Sequence, residues 1–434
     1  LNNTGAAGSD DIILADALDA NGSITINNGN LDPNTNNVNI TVAGNWTMGT
    51  NGSLDEGTET VTFDGAADQT ITSDGEAFYT VVLNNTGAAG SDDIILADAL
   101  NVDGHLTITN GDLDPNTNNV NIMVAGNWTM GASGSLDAGT GSETVIFDGA
   151  GQSVNGTTAF NNLTKSETTN NATDVTFTVE AGTVQTINGT LSLSGLDGDD
   201  RIALASSSAG SFFTFNVTAG DQSVNYLTVQ DSYASGNDIL ATFSVSVSGN
   251  DDGDLPPTDQ WIFASNYYWV GAADGADTSL AASWSGSAGG ACGTGGAGVP
   301  GPTDVAVFQD SCDNGATVDA DFNVGGLQME SGYAGTITPD AGILMNIDGL
   351  FSQASGTVDL DTNDTDINFA GNVTRTGGTF NAGSGTATFD GTTVLTSGGM
   401  SFNHVVIGAN GSLSTADTMD INGTFTVVNG GGET

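Results

Sequence analysis

The stretch LNNTGAAGSDDIILADAL occupies residues 1–18 and recurs without a change at 83–100. Further copies keep the same spacing of 82 residues: LDPNTNNVNI at 31–40 and 113–122, and VAGNWTM at 42–48 and 124–130. A repeat this long and this faithful indicates a repeat architecture, in which each unit packs against its sequence neighbours.

Alternating apolar residues follow the repeated stretch. Val38, Ile40, Val42, Trp46 and Met48 share one parity, which predicts a strand with one buried face, and Asn-Gly and Asp-Gly turns separate such strands. Four equal coils in 82 residues give roughly 20 residues per coil, enough for three short strands and their turns. The sequence therefore predicts an all-β chain that folds as a β-solenoid.

Composition limits the partners. The 434 residues contain 52 Asp and Glu but only Lys165, Arg201 and Arg375 as strong cations, for a net charge of −49. So few cations cannot follow a phosphate backbone or an anionic membrane, so we expect neither nucleic acid nor membrane insertion. The uncompensated charge favours an ion-rich, extracellular setting.

Changes in the repeat pattern and in composition divide the chain into four segments. We expect near-identical repeats over 1–163, a divergent continuation of the solenoid over 164–264, an entry segment over 265–324 with a Gly-rich loop, and a second solenoid segment over 325–434. Leu1 matches Leu83 within the repeat, which predicts that the chain is processed or part of a longer array.

Cys292 and Cys312 are the two cysteines. An extracellular chain predicts a disulfide between them, and the alternative is a pair of buried thiols.

Several motifs resemble those of secreted bacterial repeat proteins: GNWT, TFNAGSGTATFDG, INGTLSLSG, DQWIF and YYWVG. The chain is similar to filamentous-haemagglutinin and adhesin passengers, and the resemblance implies a right-handed parallel β-helix at the cell surface. These motifs are structural, so the resemblance implies an adhesin, fibre or sheath component rather than an enzyme.

Carboxylates and amides align between repeats, and two interpretations are open. They form ladders from coil to coil that bond to the turn backbone, or some bind Ca²⁺, which prefers six to eight oxygens. The densest calcium candidates are Asp359, Asp361, Asn363, Asp364 and Asp366, followed by Asp251, Asp252 and Asp254, and then by Asp197, Asp199 and Asp200.

Lys165 stands where Leu83 and Ile407 stand in aligned segments, a position that faces inward. Because a buried ammonium needs a partner, we expect the chain to bend outward after Thr164 and to leave Lys165 solvated beside Glu167. The alternative is an isopeptide bond from Lys165 to an Asn or Asp.

Chemical sites are weakly indicated. A glycosidase needs paired carboxylates, but the pair Asp10–Asp11 recurs as Asp92–Asp93 and is better explained as a duplicated turn. His105 is expected at the surface. Candidate glycosylation sequons begin at Asn21, Asn45, Asn127, Asn188, Asn372 and Asn422.

The sequence thus predicts a non-catalytic structural protein that forms or extends a surface filament, with itself or neighbouring repeats as its partner. Head-to-tail contacts that do not close would produce such a filament. A carbohydrate-binding adhesin is the alternative, with Tyr267 and Trp269 as its aromatic platform.

Overall fold

The computed structural model describes residues 1–5, 11–139, 141–196, 199–250, 260–409 and 411–428. The described residues form about 18 coils of parallel strands, with neighbouring coils about 22 residues apart. The predicted β-solenoid is therefore confirmed, with coils slightly longer than predicted.

The chain divides into two compact units. The first comprises Leu1–Gln222, Tyr226–Ile239 and Val245–Trp261, and the second comprises Ser223–Asn225, Leu240–Ser244 and Ile262–Thr434. The finer divisions predicted at 163 and 324 stay predictions.

Each coil of the first unit contributes strands to parallel sheets that run from coil to coil. The largest sheet contains Asp11–Ile13, Ile24–Asp32, Trp46–Leu54, Gln69–Thr72, Asp93–Leu96, Leu106–Asp114, Trp128–Leu136, Gly151–Asn155, Val175–Val179, Ile202–Ser206, Leu227–Gln230 and Val245–Ser248, joined by Leu18–Ala20, Ile40–Val42, Thr60–Phe63 and Thr80–Asn84. A second contains Ala77–Phe78, Leu100–Val102, Ile122–Val124, Thr144–Phe147, Asn162–Ser166 and Leu191–Ser194. A third contains Thr158–Phe160, Val184–Ile187, Phe213–Val217 and Ser232–Ser235. Short strands at the division of the chain are Gln222–Asn225, Ile239–Thr242 and Trp261–Phe263.

The second unit repeats this three-strand coil. One sheet contains Asn266–Trp269, Val305–Phe308, Gly326–Met329, Phe351–Gln353, Val373–Arg375, Thr392–Thr396 and Ser412–Thr415, with Trp284–Ser285 paired antiparallel to its first strand. The next contains Ala276–Asp277, Ala316–Val318, Thr336–Pro339, Thr357–Asp359 and Thr379–Asn381. The remaining strands are Phe322–Val324, Leu344–Ile347, Asp366–Phe369, Thr386–Phe389, His404–Ile407 and Phe425–Val427, and the pair Ser401–Phe402 and Asp420–Ile421. The 3-10 helical turns are Asn34–Asn36 and Ala281–Ser283.

The 82-residue repeat does not equal four coils. Leu18 pairs with Ile40, Ile40 with Val61, Val61 with Val81, and Val81 with Leu106, so four coils lead from Leu18 to Leu106. The sequence counterpart of Leu18 is instead Leu100, which begins the preceding strand and pairs with Ile122 in another sheet.

One repeat is therefore four coils less one strand. For a coil of three strands this is about three and two-thirds coils, which accounts for about 22 residues per coil rather than 20. Near-identical copies consequently place the same side chains on different faces of the solenoid.

The interior follows the predicted alternation. Ile40, Val42 and Trp46 are fully buried, and Met48 is nearly so. Trp46 packs against Phe63 and Phe78, with ring centroids 6.4 and 5.3 Å away. The second copy rebuilds this cluster from Trp128, Phe147 and Phe160, with the Trp128 centroid 6.4 and 5.5 Å from the two phenyl rings. The core contacts thus survive the change of face.

Candidate functional site

Side-chain oxygens at the turns bond to the backbone of the next coil. Asn45 Oδ1 accepts from the Thr70 N–H at 2.9 Å, and Asn127 Oδ1 accepts from the Ser153 N–H at 2.8 Å. A second row of turn residues makes the same kind of bond. The side-chain oxygens of Asn39, Asn121 and Asp366 accept from the backbone N–H groups of Thr60, Thr144 and Thr386. The coil-to-coil bonding predicted for aligned amides and carboxylates is present at Asn39, Asn121 and Asp366, and it satisfies N–H groups at the strand ends.

Four of the five densest calcium candidates form hydrogen bonds: Asp366 belongs to the row above, and Asp359, Asn363 and Asp364 bond as follows. Asp359 accepts from Thr362, and Asn363 Nδ2 donates to the Pro339 carbonyl at 2.8 Å. Asp364 Oδ1 accepts from the Ser384 N–H at 2.9 Å, and the Ser384 hydrogen bonds lower the pKa of Asp364. Each of these groups therefore has a structural role independent of an ion.

The other candidates are distributed as follows. Asp200 is buried, and its Oδ1 accepts from the backbone N–H groups of Asn171 and Thr173 at 3.2 and 2.9 Å. Asp197, Asp251, Asp252 and Asp254 lie outside the described residues. Within the described ranges, the structure contains no group of three or more His, Cys, Asp or Glu side chains arranged to hold a metal ion. Calcium binding stays a prediction.

Lys165 is buried, so the expectation of a solvated side chain was wrong. Its Nζ donates to the Gly149 carbonyl at 2.7 Å and to Gln152 Oε1 at 2.8 Å, and it lies 5.6 Å from the centre of the Phe177 ring. Burial lowers the pKa of Lys165 to about 8, while the Glu167 carboxylate partly opposes this shift. The ammonium is thus held by neutral acceptors and an aromatic face.

The first copy explains how the lysine is accommodated. There Gln69 Nε2 donates to the carbonyls of Val42 and Gly44, and Asn85 Nδ2 donates to Gln69 Oε1 at 3.4 Å. Gln152, the counterpart of Gln69, makes equivalent bonds to Val124 and Gly126. Lys165 supplies the donor that Asn85 supplies in the first copy.

The predicted aromatic platform is wrong at Trp269, which is fully buried and donates its Nε1–H to the Asn314 carbonyl at 2.8 Å. Tyr267 is partly buried against the same core. An exposed aromatic pair lies elsewhere: the rings of Phe212 and Tyr233 stack with centroids 4.2 Å apart, and Tyr233 is 38% exposed. Sequence reasoning missed this pair because the alternation of apolar and polar residues around it does not show which aromatic rings point outward.

Cys292 and Cys312 form a disulfide, with Cα atoms 5.0 Å apart. Cys312 is buried in the core of the second unit, whereas Cys292 is exposed in the Gly-rich loop. The bond therefore ties this loop to the solenoid core.

The sequon asparagines contribute to the ladders. Besides Asn45 and Asn127, Asn372 Oδ1 accepts from the Val394 N–H at 2.9 Å. Thr218 Oγ1 donates to Asn188 Oδ1, and Asn422 Nδ2 donates to Ser401 Oγ at 2.6 Å. Glycosylation of these residues stays a prediction.

His105 replaces a serine without losing a bond. In the first copy, Ser23 Oγ accepts from the Asn45 N–H at 3.0 Å, and in the second His105 Nδ1 accepts from the Asn127 N–H at 2.9 Å. The imidazole is exposed, as expected, and supports the turn.

No family model, curated protein or solved structure matches the chain. Across the described part of the chain, no helix is long and apolar enough to cross a membrane.

Proposed function

We propose that the chain is a non-catalytic structural protein of the cell exterior, in which β-solenoid coils build the shaft of a surface fibre. The observation that carries the proposal is the parallel strand register combined with turn side chains that bond to the next coil. Each coil presents backbone groups and side-chain acceptors that a following coil of the same kind would satisfy.

Two features support the extracellular setting. The net charge of −49 keeps such shafts apart from one another and from other anionic surfaces. The Cys292–Cys312 disulfide suits an oxidising compartment. A structural role is supported by the hydrogen bonds that Asp359, Asn363, Asp364 and Asp366 form within the solenoid.

Electron microscopy of the purified chain, with and without a calcium chelator, tests the proposal. We expect uniform fibres of solenoid width, extended by second copies of the chain through the same parallel register. Isolated particles under both conditions, at concentrations well above those of a surface protein, would contradict self-assembly and leave a shaft extended only by neighbouring repeats.

A carbohydrate-binding adhesin is the second candidate, favoured by the exposed Phe212–Tyr233 stack. Aromatic faces bind the apolar faces of sugar rings. Glycan-array binding that is lost in Tyr233→Ala and retained in a variant of the partly buried Tyr267, Tyr267→Phe, supports this function. An array without any bound glycan contradicts it.

A further inference from the structure

A loop with little apolar burial lies near the start of the second unit. Residues 286–299 read GSAGGACGTGGAGV, and half of them are glycine. Every residue of this glycine loop is exposed or only partly buried, and Val299 is 41% exposed. Glycine loses more conformational freedom on ordering than any other residue, and burial of apolar side chains offsets little of that loss here. Bonds to the rest of the unit must therefore hold the loop in place.

Backbone hydrogen bonds attach the glycine loop to the neighbouring strands. The N–H groups of Gly296 and Ala297 donate to the Trp284 carbonyl at 2.8 and 3.1 Å. The Gly293 N–H donates to the Val270 carbonyl at 2.6 Å. Hydrogen bonds of an exposed loop have a small net effect on its position, because the same groups bond to water when the loop is open.

Two more hydrogen bonds lie beside the disulfide. The Gly289 N–H donates to Gln309 Oε1 at 2.7 Å, and Ser311 Oγ donates to the Gly290 carbonyl at 3.0 Å. The disulfide itself joins cysteines that are 20 residues apart in the sequence. Because it closes a segment of that length, it restricts the open states of the loop far more than any one of these hydrogen bonds.

The glycine loop covers two apolar side chains. A Cβ atom built on Gly290 would lie 3.0 Å from Val270 Cγ1, and one built on Gly298 would lie 3.5 Å from Tyr267 Cε1. The loop backbone is therefore in contact with both side chains. Val270 is fully buried and Tyr267 is partly buried, so displacement of the loop would uncover apolar surface.

The strand that precedes the glycine loop is anchored independently of it. Trp284–Ser285 pairs antiparallel with Asn266–Trp269 at the edge of the first sheet of the second unit. The Trp284 side chain is fully buried, and its Nε1–H donates to the Thr278 carbonyl at 2.8 Å. It also packs edge-on against the Trp269 ring, with centroids 5.3 Å apart. The loop can therefore move while this strand keeps its place.

We propose that the Cys292–Cys312 disulfide is a redox lock, and that the glycine loop is the lid that it holds over Tyr267 and Val270. The two cysteines differ in access, because Cys292 is exposed and Cys312 is only 1% exposed. A dithiol reductant attacks Cys292 Sγ as a thiolate, and Cys312 leaves as a thiolate and takes up a proton. The second thiol of the reductant then displaces Cys292, so the protein gains two thiols and the reductant becomes a cyclic disulfide.

Reduction therefore opens the lid without unfolding the coils. In an oxidising compartment the bond forms and the lid is shut, whereas in a reducing compartment the lid is open and Tyr267 and Val270 are uncovered. The shut state outside the cell rests on the extracellular setting proposed above, but the lock itself depends only on the contacts of the loop.

Hydrogen–deuterium exchange of the whole chain, with and without dithiothreitol, tests the lock. We expect reduction to speed exchange at the amides of Gly293, Gly296 and Ala297 by roughly a hundredfold, which is the constraint that a disulfide across a segment of this length supplies. The strands Val305–Phe308 and Phe351–Gln353 should keep their protection. Unchanged exchange in the lid would overturn the proposal, because hydrogen bonds alone would then hold it shut. Loss of protection throughout the second unit would also overturn it, because the bond would then stabilise the whole unit.

Alkylation by iodoacetamide is a second measurement, and it needs no reductant. In Cys292→Ser the lid has no lock, so Cys312 should react at a rate close to that of Cys292 in the matched control, Cys312→Ser. A Cys312 thiol that stays protected in Cys292→Ser would overturn the proposal, and so would a loss of strands in the circular dichroism of that variant. Neither measurement depends on fibre formation or on location, so the proposed function can fail while the lock stands.

Discussion

The two near-identical copies, which begin at Leu1 and Leu83, differ in the residues that follow them. The neutral residues Leu83 and Asn85 follow the first copy, whereas Lys165 and Glu167 stand at the same positions after the second. Both copies nevertheless keep the same aromatic cluster and the same glutamine, which bonds to two carbonyls of the preceding coil. The comparison teaches that the coil tolerates a buried charge where a neighbouring coil already presents an acceptor.

The largest difference between the copies is expected at this glutamine. Gln152→Leu removes two bonds to backbone carbonyls, as Gln69→Leu does, and it also leaves the Lys165 ammonium with one acceptor fewer, which should cost a further ~1.5–3 kcal/mol. Gln69→Leu removes only neutral hydrogen bonds, for which about 1–3 kcal/mol is expected. Urea unfolding of the two variants measures the difference. Equal losses would contradict a charged Lys165 in the folded chain.

The two core tryptophans should differ by less. Trp128 Nε1 donates to Thr158 Oγ1 at 3.0 Å, whereas Trp46 Nε1 is buried and has no hydrogen-bond partner among the described residues. Replacement by Phe removes similar volume from both sites, so Trp128→Phe should destabilise the chain by about 1 kcal/mol more than Trp46→Phe. The same urea unfolding experiment checks this order, and the reverse order would show that the Trp128 bond contributes nothing.

A pH dependence near pH 6 should arise from one position of the second copy that has no acidic counterpart in the first. Asn30 Nδ2 donates to Asp11 Oδ1 in the first copy, but its counterpart Asp112 pairs in register with Asp93. Burial raises the pKa of Asp112 from 3.8 to about 6, and Asp137, Asp93 and Asp114 add to the rise. Because the folded state binds the proton more tightly, the stability that Asp112 contributes is present below pH 3.8 and is lost as the pH rises through about 6.

Since Asp112 is half-exposed, solvent screening reduces this contribution to about 1 kcal/mol. Unfolding midpoints between pH 4 and 8, compared for the wild-type chain and Asp112→Asn, measure it. Asp112→Asn should flatten the profile near pH 6, and Asn30→Asp should steepen it. An unchanged profile in both variants would contradict the assignment to this pair.

The smallest effect is expected at His105. His105→Ser restores the residue of the first copy, and both side chains accept from the same backbone N–H. The free energy of unfolding should change by less than about 0.5 kcal/mol at neutral pH, whereas His105→Ala should lose about 1 kcal/mol with the bond. Identical values for the two variants would show that the bond is dispensable.

The strands and the core could be predicted because their signal is local. The shared parity of Ile40, Val42 and Trp46 sets which side chains point inward, and the Asn-Gly turns set where strands end. The ladders at Asn39 and Asn121 followed from the alignment of polar residues between copies.

Local patterns do not predict which face of the solenoid each strand occupies, and they do not predict the contacts of Lys165. The register shift between Ile108 and Asn110, where the long strand turns a corner, is invisible in the alternation but decides which face follows. Lys165 was misjudged because its acceptor, Gln152, belongs to an earlier strand. The paired change of Leu83 and Asn85 to Lys165 and Glu167 was the signal that could have found it.

The central claim is that one 82-residue repeat spans four coils less one strand, and cross-linking tests it directly. The register pairs Val82 with Thr107 in adjacent parallel strands, which lie about 4.8 Å apart. Val82→Cys combined with Thr107→Cys should form a disulfide under mild oxidation. If the repeat spanned four whole coils, Leu100, the counterpart of Leu18, would instead lie beside Val81, and Asn101 would lie beside Val82. Cross-linking of Val82→Cys with Asn101→Cys, and none with Thr107→Cys, would contradict the claim.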